Sequence, residues 1–295
     1  MEKLIKDLRN YMDETGESQS SIARKIDISG AALSQILNGK YPNSEGEVID
    51  KIRSFISMTE STKSIKKIGF TQTNISKKIL STLGYCHMQH MMCIVYGDAG
   101  VGKTITAENY EMNNPDVIKI NLNPGTSKTK GFLKKLCKSL KMSTIGTEDD
   151  IYERLVERLK STNKLLIIDE AQLLKDGTLE YVKCLYDDTK IAIALVGNED
   201  IYERIAGQQD KKNARLYSRS SMRCPVDTKQ IKKGDIDLIF EGLEDEAKNY
   251  LYRLSRQSNW GLRGAVDLYN NAAVNGNVSA EGLKAMTEAM GIEVK

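Results

Sequence analysis

The sequence predicts an α/β fold: a parallel sheet flanked by helices, followed by an α-helical piece and preceded by a small helical domain. Three observations predict it. Short apolar runs alternate with helical patterns from residue 92 to residue 196. Strands joined by crossover helices read this way, and they pair in parallel. A glycine-rich loop, Gly97-Asp98-Ala99-Gly100-Val101-Gly102-Lys103-Thr104, separates the first run from the first helix of that series. After Pro225 the strand pattern stops, and residues 233–290 read as three or four helices.

At the N-terminal end, Leu4, Ile5, Leu8, Tyr11 and Met12 recur at helical spacing. A serine-rich break follows at residues 17–21, and then Ile22, Ala23 and Ile26 share one side of a second helix. Ser29 is placed to cap a third helix carrying Leu33, Ile36 and Leu37, which Gly39 ends. Val48, Ile49, Ile52, Phe55 and Ile56 mark one more amphipathic helix. Residues 1–58 thus read as a small helical domain, with helix-turn-helix spacing between Ser18 and Asn38. Residues 59–67 are polar and basic and read as a linker. Residues 68–226 form the α/β core, with strands at 92–96, 117–120, 165–168 and 191–196. The third is apolar throughout, as a strand buried on both faces should be. Helices are expected at 104–112, 129–141, 148–160 and 177–187, and residues 227–295 form the α-helical lid.

Composition bounds the function. The 295 residues are 40% hydrophobic, enough for a packed core. Lys and Arg total 43 against 40 Asp and Glu, a net charge of +3, which does not by itself announce a nucleic-acid binder. The charge is clustered, however. Residues 127–141 hold six lysines and no acid, and residues 203–233 hold nine Lys or Arg against three acids. Five cysteines without a CxxC pair suit a reducing cytoplasm. No apolar run approaches ~20 residues, so no membrane span is expected. The start Met1-Glu2-Lys3-Leu4 lacks the form of a signal peptide.

The glycine-rich loop has the form GxxxxGKT directly after a strand and before a helix. Its glycines let backbone N–H groups turn inward around phosphates, and the following helix points its positive end at them. Lys103 is expected to reach the β- and γ-phosphates of ATP, and the Thr104 hydroxyl to bind Mg²⁺. The run Leu165-Leu166-Ile167-Ile168-Asp169-Glu170 carries two acids to the C-terminal edge of the sheet, where ligands bind. Asp169 then holds Mg²⁺, and Glu170 deprotonates the attacking water. Asn198, in Val196-Gly197-Asn198, is placed to position that water. Arg215 and Arg219 lie in a basic stretch, where a guanidinium inserted at a neighbouring subunit's γ-phosphate would stabilise the transition state. Arg263 opens a helix of the lid and could report the nucleotide's state to it.

Taken together these elements resemble the AAA+ ATPases over about residues 68–290: Walker A at 97–104, Walker B at 165–170, sensor 1 at Asn198, an arginine finger in the 215–219 box and sensor 2 at Arg263. Within that family the runs Asp169-Glu170-Ala171, Ala194-Leu195-Val196-Gly197-Asn198, Ala214-Arg215-Leu216-Tyr217-Ser218-Arg219 and Gly261-Leu262-Arg263, behind a small helix-turn-helix domain, are similar to the Mu B-type transposition proteins of phages and transposons. The resemblance implies ATP-dependent helical filaments on duplex DNA with little sequence preference. It also implies delivery of target DNA to a transposase that is thereby activated, and hydrolysis that ends the assembly. It favours Arg219 as the finger, with Arg215 supporting.

For DNA, the second helix of the helix-turn-helix exposes Ser34, Gln35 and Asn38, side chains able to reach phosphates or base edges. Lys128 and Lys130 follow the second strand in a Gly-Thr-Ser loop and would face phosphates if subunits wind around DNA. The cluster Cys86, His87, His90 and Cys93 raises zinc, but Cys86 and His90 read as helix and Cys93 as strand, so a closed tetrahedral site is not expected. Two other readings stand beside the transposition one. A helicase loader or replication initiator would prefer single-stranded DNA. A sequence-specific regulator would use ATP only to switch its oligomeric state.

Overall fold

The computed structural model describes residues 1–63, 68–206 and 220–294. The chain divides into two compact units, residues 1–67 with 273–276 and residues 68–272 with 277–295.

The first unit contains four helices: α1 (Glu2–Thr15), α2 (Gln19–Ile26), α3 (Gly30–Leu37) and α4 (Glu47–Lys63). Ser18 and Ser29 cap α2 and α3, their hydroxyls accepting the N–H groups of Ser21 and Ala32. Asp27 ends α2 in the left-handed conformation, which lets the chain reverse before α3. Leu8, Ile22, Ile26, Leu33, Ile36, Ile49 and Ile52 form a shared apolar core, and Tyr11 meets Phe55 edge to face with ring centroids 5.1 Å apart. Helix α4 runs past the expected domain end at 58 into the segment read as a linker. The Thr59 hydroxyl donates back to the carbonyls of Phe55 and Ile56, so a polar residue continues the helix there.

The second unit is built on a five-stranded sheet: β1 (Met92–Gly97), β2 (Val117–Asn121), β3 (Leu165–Asp169), β4 (Ala192–Gly197) and β5 (Ser220–Val226). The spatial order is β2-β3-β4-β1-β5 and every pairing is parallel. Strand β5 is an addition to the four strands that the apolar runs predict. It lies at the sheet edge, where Pro225 is tolerated because only β1 must be matched.

Side chains alternate between two cores. Leu165 and Ile167 face the layer of α5 (Asn74–Met88), α6 (Lys103–Met112) and the C-terminal helices. Leu166 and Ile168 face the layer of α7 (Thr129–Ser139), α8 (Glu148–Leu159), α9 (Asp176–Thr189) and α10 (Glu199–Ala206). The lid comprises α11 (Lys233–Ile239), α12 (Asp245–Ser255), α13 (Gly261–Val274) and α14 (Ala280–Ala289). Among the described residues no helix is long and apolar enough to cross a membrane.

Of the Cys–His cluster, Cys86 and Cys93 lie against each other, fully buried in the apolar layer. His90 lies beyond the end of α5 in a left-handed turn, not in the helix where the sequence placed it. Among the described residues no group of His, Cys, Asp and Glu is arranged to hold a metal by itself.

Candidate nucleotide site

The loop between β1 and α6 is fastened to β5 and to the lid along its length. At its first residue, Gly97 has φ 131°, and a Cβ there would sit 1.9 Å from the Val226 carbonyl oxygen of β5. Only glycine passes so close. The next residue, Asp98, uses its carboxylate to accept from the Thr228 N–H (2.8 Å) and hydroxyl (2.9 Å), at the entry to the lid. Further on, the Gly100 carbonyl accepts from the Arg263 N–H at 3.0 Å, in the first turn of α13. Gly261, at φ 62°, makes this approach possible, because a Cβ there would lie 2.8 Å from the Gly100 carbonyl carbon and oxygen. Arg263 thus meets the loop through its backbone N–H, while its side chain is exposed.

Ala99 is exposed and Val101 is buried, so the loop alternates between solvent and core. Gly102 caps α6 in the left-handed conformation with no side-chain acceptor on the helix N–H groups. Those donors and the positive end of α6 suit an anion such as a phosphate. The Lys103 ammonium donates to the Gly97 carbonyl (2.8 Å) and to that of Asp98. Burial holds its pKa below the ordinary lysine value, against the opposing pull of Glu170, Asp169 and Asp98. Thr104 follows it, half-buried in the first turn of α6.

Asp169 ends β3 and is 2% exposed. Its Oδ1 accepts the Glu170 N–H at 3.0 Å. Its Oδ2 is buried without a hydrogen-bond donor among the described residues and faces the Lys119 ammonium, at 3.5 Å. A buried carboxylate oxygen left without a donor fits a hard cation such as Mg²⁺. Lys119, on β2, also reaches Glu108 of α6 at 3.1 Å. Sequence reasoning missed this lysine, whose only signal was a charged residue inside an otherwise apolar strand.

Glu170 is half-buried and takes a left-handed backbone conformation, φ 58°. A non-glycine residue held there stores strain, a common feature of functional sites. Its carboxylate accepts a hydrogen bond from the Gln172 side-chain amide. Asn198 follows β4, and its backbone N–H reaches Gln172 Oε1 at 3.3 Å. The Asn198 side chain donates to Asp200 (2.8 Å) and accepts the Asp200 N–H (3.1 Å) at the start of α10. Short-range Asx-type bonding of this sort competes for any asparagine that precedes a helix.

Arg215 and Arg219 lie outside the described residues. Lys128 caps α7 and Lys130 lies in its first turn, both exposed. In α3, Gln35 is exposed and Ser34 half-buried. Asn38 is exposed, and its amide donates to the Ser34 carbonyl at 2.9 Å.

A parallel sheet of this order, with the phosphate loop after β1, an acidic pair after β3 and a helical lid docked on the loop, defines the fold of an AAA P-loop ATPase. The family model described as AAA domain matches residues 86–205. The chain is similar to the Mu-like prophage FluMu DNA transposition protein B of Haemophilus influenzae, 27% identical over 274 residues that cover 90% of this chain and 95% of that one. It is also similar to the ATP-dependent target DNA activator B of Escherichia phage Mu, 26% identical over 252 residues that cover 84% and 80%. Among solved structures, Cdc6p from Pyrobaculum aerophilum shares the fold, with a TM-score of 0.57 at 17% identity, covering 78% of this chain and 70% of that one.

Proposed function

We propose that this chain is an ATPase of phage or mobile-element transposition. It binds target duplex DNA with little sequence preference, as an ATP-dependent homo-oligomeric filament, and presents that DNA to a transposase. The observation that carries the reading is the coincidence of two things. Relatives named for DNA transposition and target DNA activation match along nearly the whole chain, and the phosphate loop is bound directly to the lid.

ATP enters with its phosphates on the N–H groups of residues 97–104 and against the Lys103 ammonium. Thr104 and Asp169 would hold Mg²⁺, which neutralises charge on the phosphates when bound. Glu170 orients a water whose oxygen attacks the γ-phosphorus while the bond to the β,γ-bridging oxygen breaks. The water's proton passes to the Glu170 carboxylate. Arg219, supported by Arg215, is assigned to the neighbouring subunit's γ-phosphate, so the interface requires ATP and hydrolysis loosens it. Asn198 serves as sensor 1, and Arg263 as sensor 2 carries the nucleotide state to the lid. Lys128 and Lys130 supply phosphate contacts without sequence information. Residues 1–58 are assigned as the helix-turn-helix DNA-binding domain, residues 68–226 as the ATPase core and 227–295 as the lid, with Ser34 and Gln35 toward DNA. The compartment is the cytoplasm.

Electron microscopy with duplex DNA, under ADP or a non-hydrolysable ATP analogue, tests this. Filaments on arbitrary sequence only with the analogue are expected. Lys103→Ala should lose both nucleotide and filaments, and Glu170→Gln should bind ATP and hold filaments on DNA. Closed rings with single-strand preference would replace the reading with a helicase loader, and a discrete footprint from residues 1–58 with a sequence-specific regulator.

A further inference from the structure

The geometry points to Gln172 as a positioning residue for the general base, one that ties Glu170 to the far end of β4 and to α10. The inference rests on the ATPase reading above and deepens it.

Gln172 sits in the short turn Ala171–Leu173 that follows β3. Its side-chain nitrogen donates to Glu170 Oε2. Its side-chain oxygen accepts from the Asn198 N–H at 3.3 Å. Only one orientation of the amide satisfies both, since the backbone N–H must meet the oxygen and the carboxylate must meet the nitrogen. The amide also lies flush on the end of β4, where a Cβ at Gly197 would come within 2.5 Å of Gln172 Oε1. Arg204 of α10 fixes the backbone from the other side. One guanidinium nitrogen donates to the Gln172 carbonyl at 2.9 Å, and the other meets Asp176 at 2.7 Å.

The consequence is mechanical. Glu170 has a strained backbone and one carboxylate oxygen committed to Gln172. Its other oxygen is left to take the proton. Any shift of the β4 end or of α10 moves the Gln172 amide, and with it the base. The two partners of the amide, Glu170 and Asn198, both lie outside the phosphate loop of residues 97–104, so Gln172 acts on the base rather than on nucleotide binding. An alanine would remove the link and leave space; a methionine fills the space without the link. A glutamate places a second carboxylate against Glu170 and cannot donate when ionised.

The test uses the full chain with saturating duplex DNA and Mg²⁺-ATP. It compares wild type, Glu170→Gln, Gln172→Met and Gln172→Glu for kcat, nucleotide Kd and the pH dependence of kcat. Gln172→Met should lower kcat between about tenfold and a hundredfold with Kd within about twofold of wild type. Gln172→Glu should also move the acid limb of the kcat profile to higher pH, because a neighbouring negative charge favours the protonated base. A merely structural role would not move that limb. Wild-type kcat in Gln172→Met, or an unmoved acid limb in Gln172→Glu, overturns the inference. If Gln172→Met fails to fold, the near-isosteric Gln172→Glu decides alone. Should Glu170→Gln hydrolyse ATP as wild type does, the assignment of the base itself fails, a separate outcome.

Discussion

Substituting Gly261 by alanine tests whether lid and phosphate loop are one working unit. The residue stands at φ 62°, and a Cβ would lie 2.8 Å from the Gly100 carbonyl carbon and oxygen and 2.9 Å from the Ala99 oxygen. All three are backbone atoms that no side-chain rotation relieves. Two costs follow. The left-handed conformation of an L-residue costs about 1 kcal/mol. Separating α13 from the loop breaks the Arg263 N–H bond to Gly100, worth about 1 kcal/mol net. Gly276 provides the control. It has φ 73°, but a Cβ added there would meet nothing within 4 Å, so its alanine variant incurs only the first cost. Chemical unfolding should therefore show a loss of about 2 kcal/mol for Gly261→Ala and about 1 kcal/mol for Gly276→Ala. Titration with a fluorescent ATP analogue should show roughly fivefold weaker binding for Gly261→Ala alone, the equivalent of the lost contact. Equal nucleotide affinity in the two variants would refute the argument that the lid is bound to the loop.

Two further outcomes are expected. Lys119→Met leaves Asp169 without the cation it faces, in a site where both side chains are under one-tenth exposed, so stability should fall by about 3 kcal/mol; urea unfolding checks it, and a loss below about 1 kcal/mol would make the pair unimportant. Burial depresses the Lys103 pKa, so the cost of its charge is fully present at neutral pH and is relieved as pH rises through the lowered value toward the ordinary one. Over that alkaline window apo stability should gain slightly while nucleotide affinity falls, because phosphate needs the ammonium; parallel unfolding and binding titrations with Lys103→Met as reference read both signs.

Much of this architecture was legible because it is written locally. Runs such as Leu165 to Ile168 are apolar on both faces, and nothing but a buried strand explains four such residues before two acids. The phosphate loop announces itself by glycine spacing. Strand β5 did not, since Ser220, Arg223 and Pro225 deny it an apolar run and leave only the short alternation of Met222, Cys224 and Val226, and it is held by pairing with β1 alone. Helix α4 overran its expected end because polarity was read as linker, whereas an exposed helical turn is polar too. The contacts Asp98–Thr228, Lys119–Asp169 and Gln172–Asn198 join residues far apart in sequence, and no local pattern records them. Asn198 and Asn38 were legible as residue types, whereas their local bonds to Asp200 and Ser34 were not.

The alternation of β3 between two apolar layers has a bearing on how the molecule folds. Its four hydrophobic side chains divide equally between the layers. Neither layer closes over β3 without leaving half of that strand in water, which favours cooperative completion of both. Asp169 and Glu170 reach the sheet edge only at the end of that strand. A ligand bound at that edge would therefore favour the finished fold: at a hundred times its Kd it would add about 2.7 kcal/mol to it and nothing to a half-built chain. Binding there would then act as a quality filter, open only to copies whose two halves have already met.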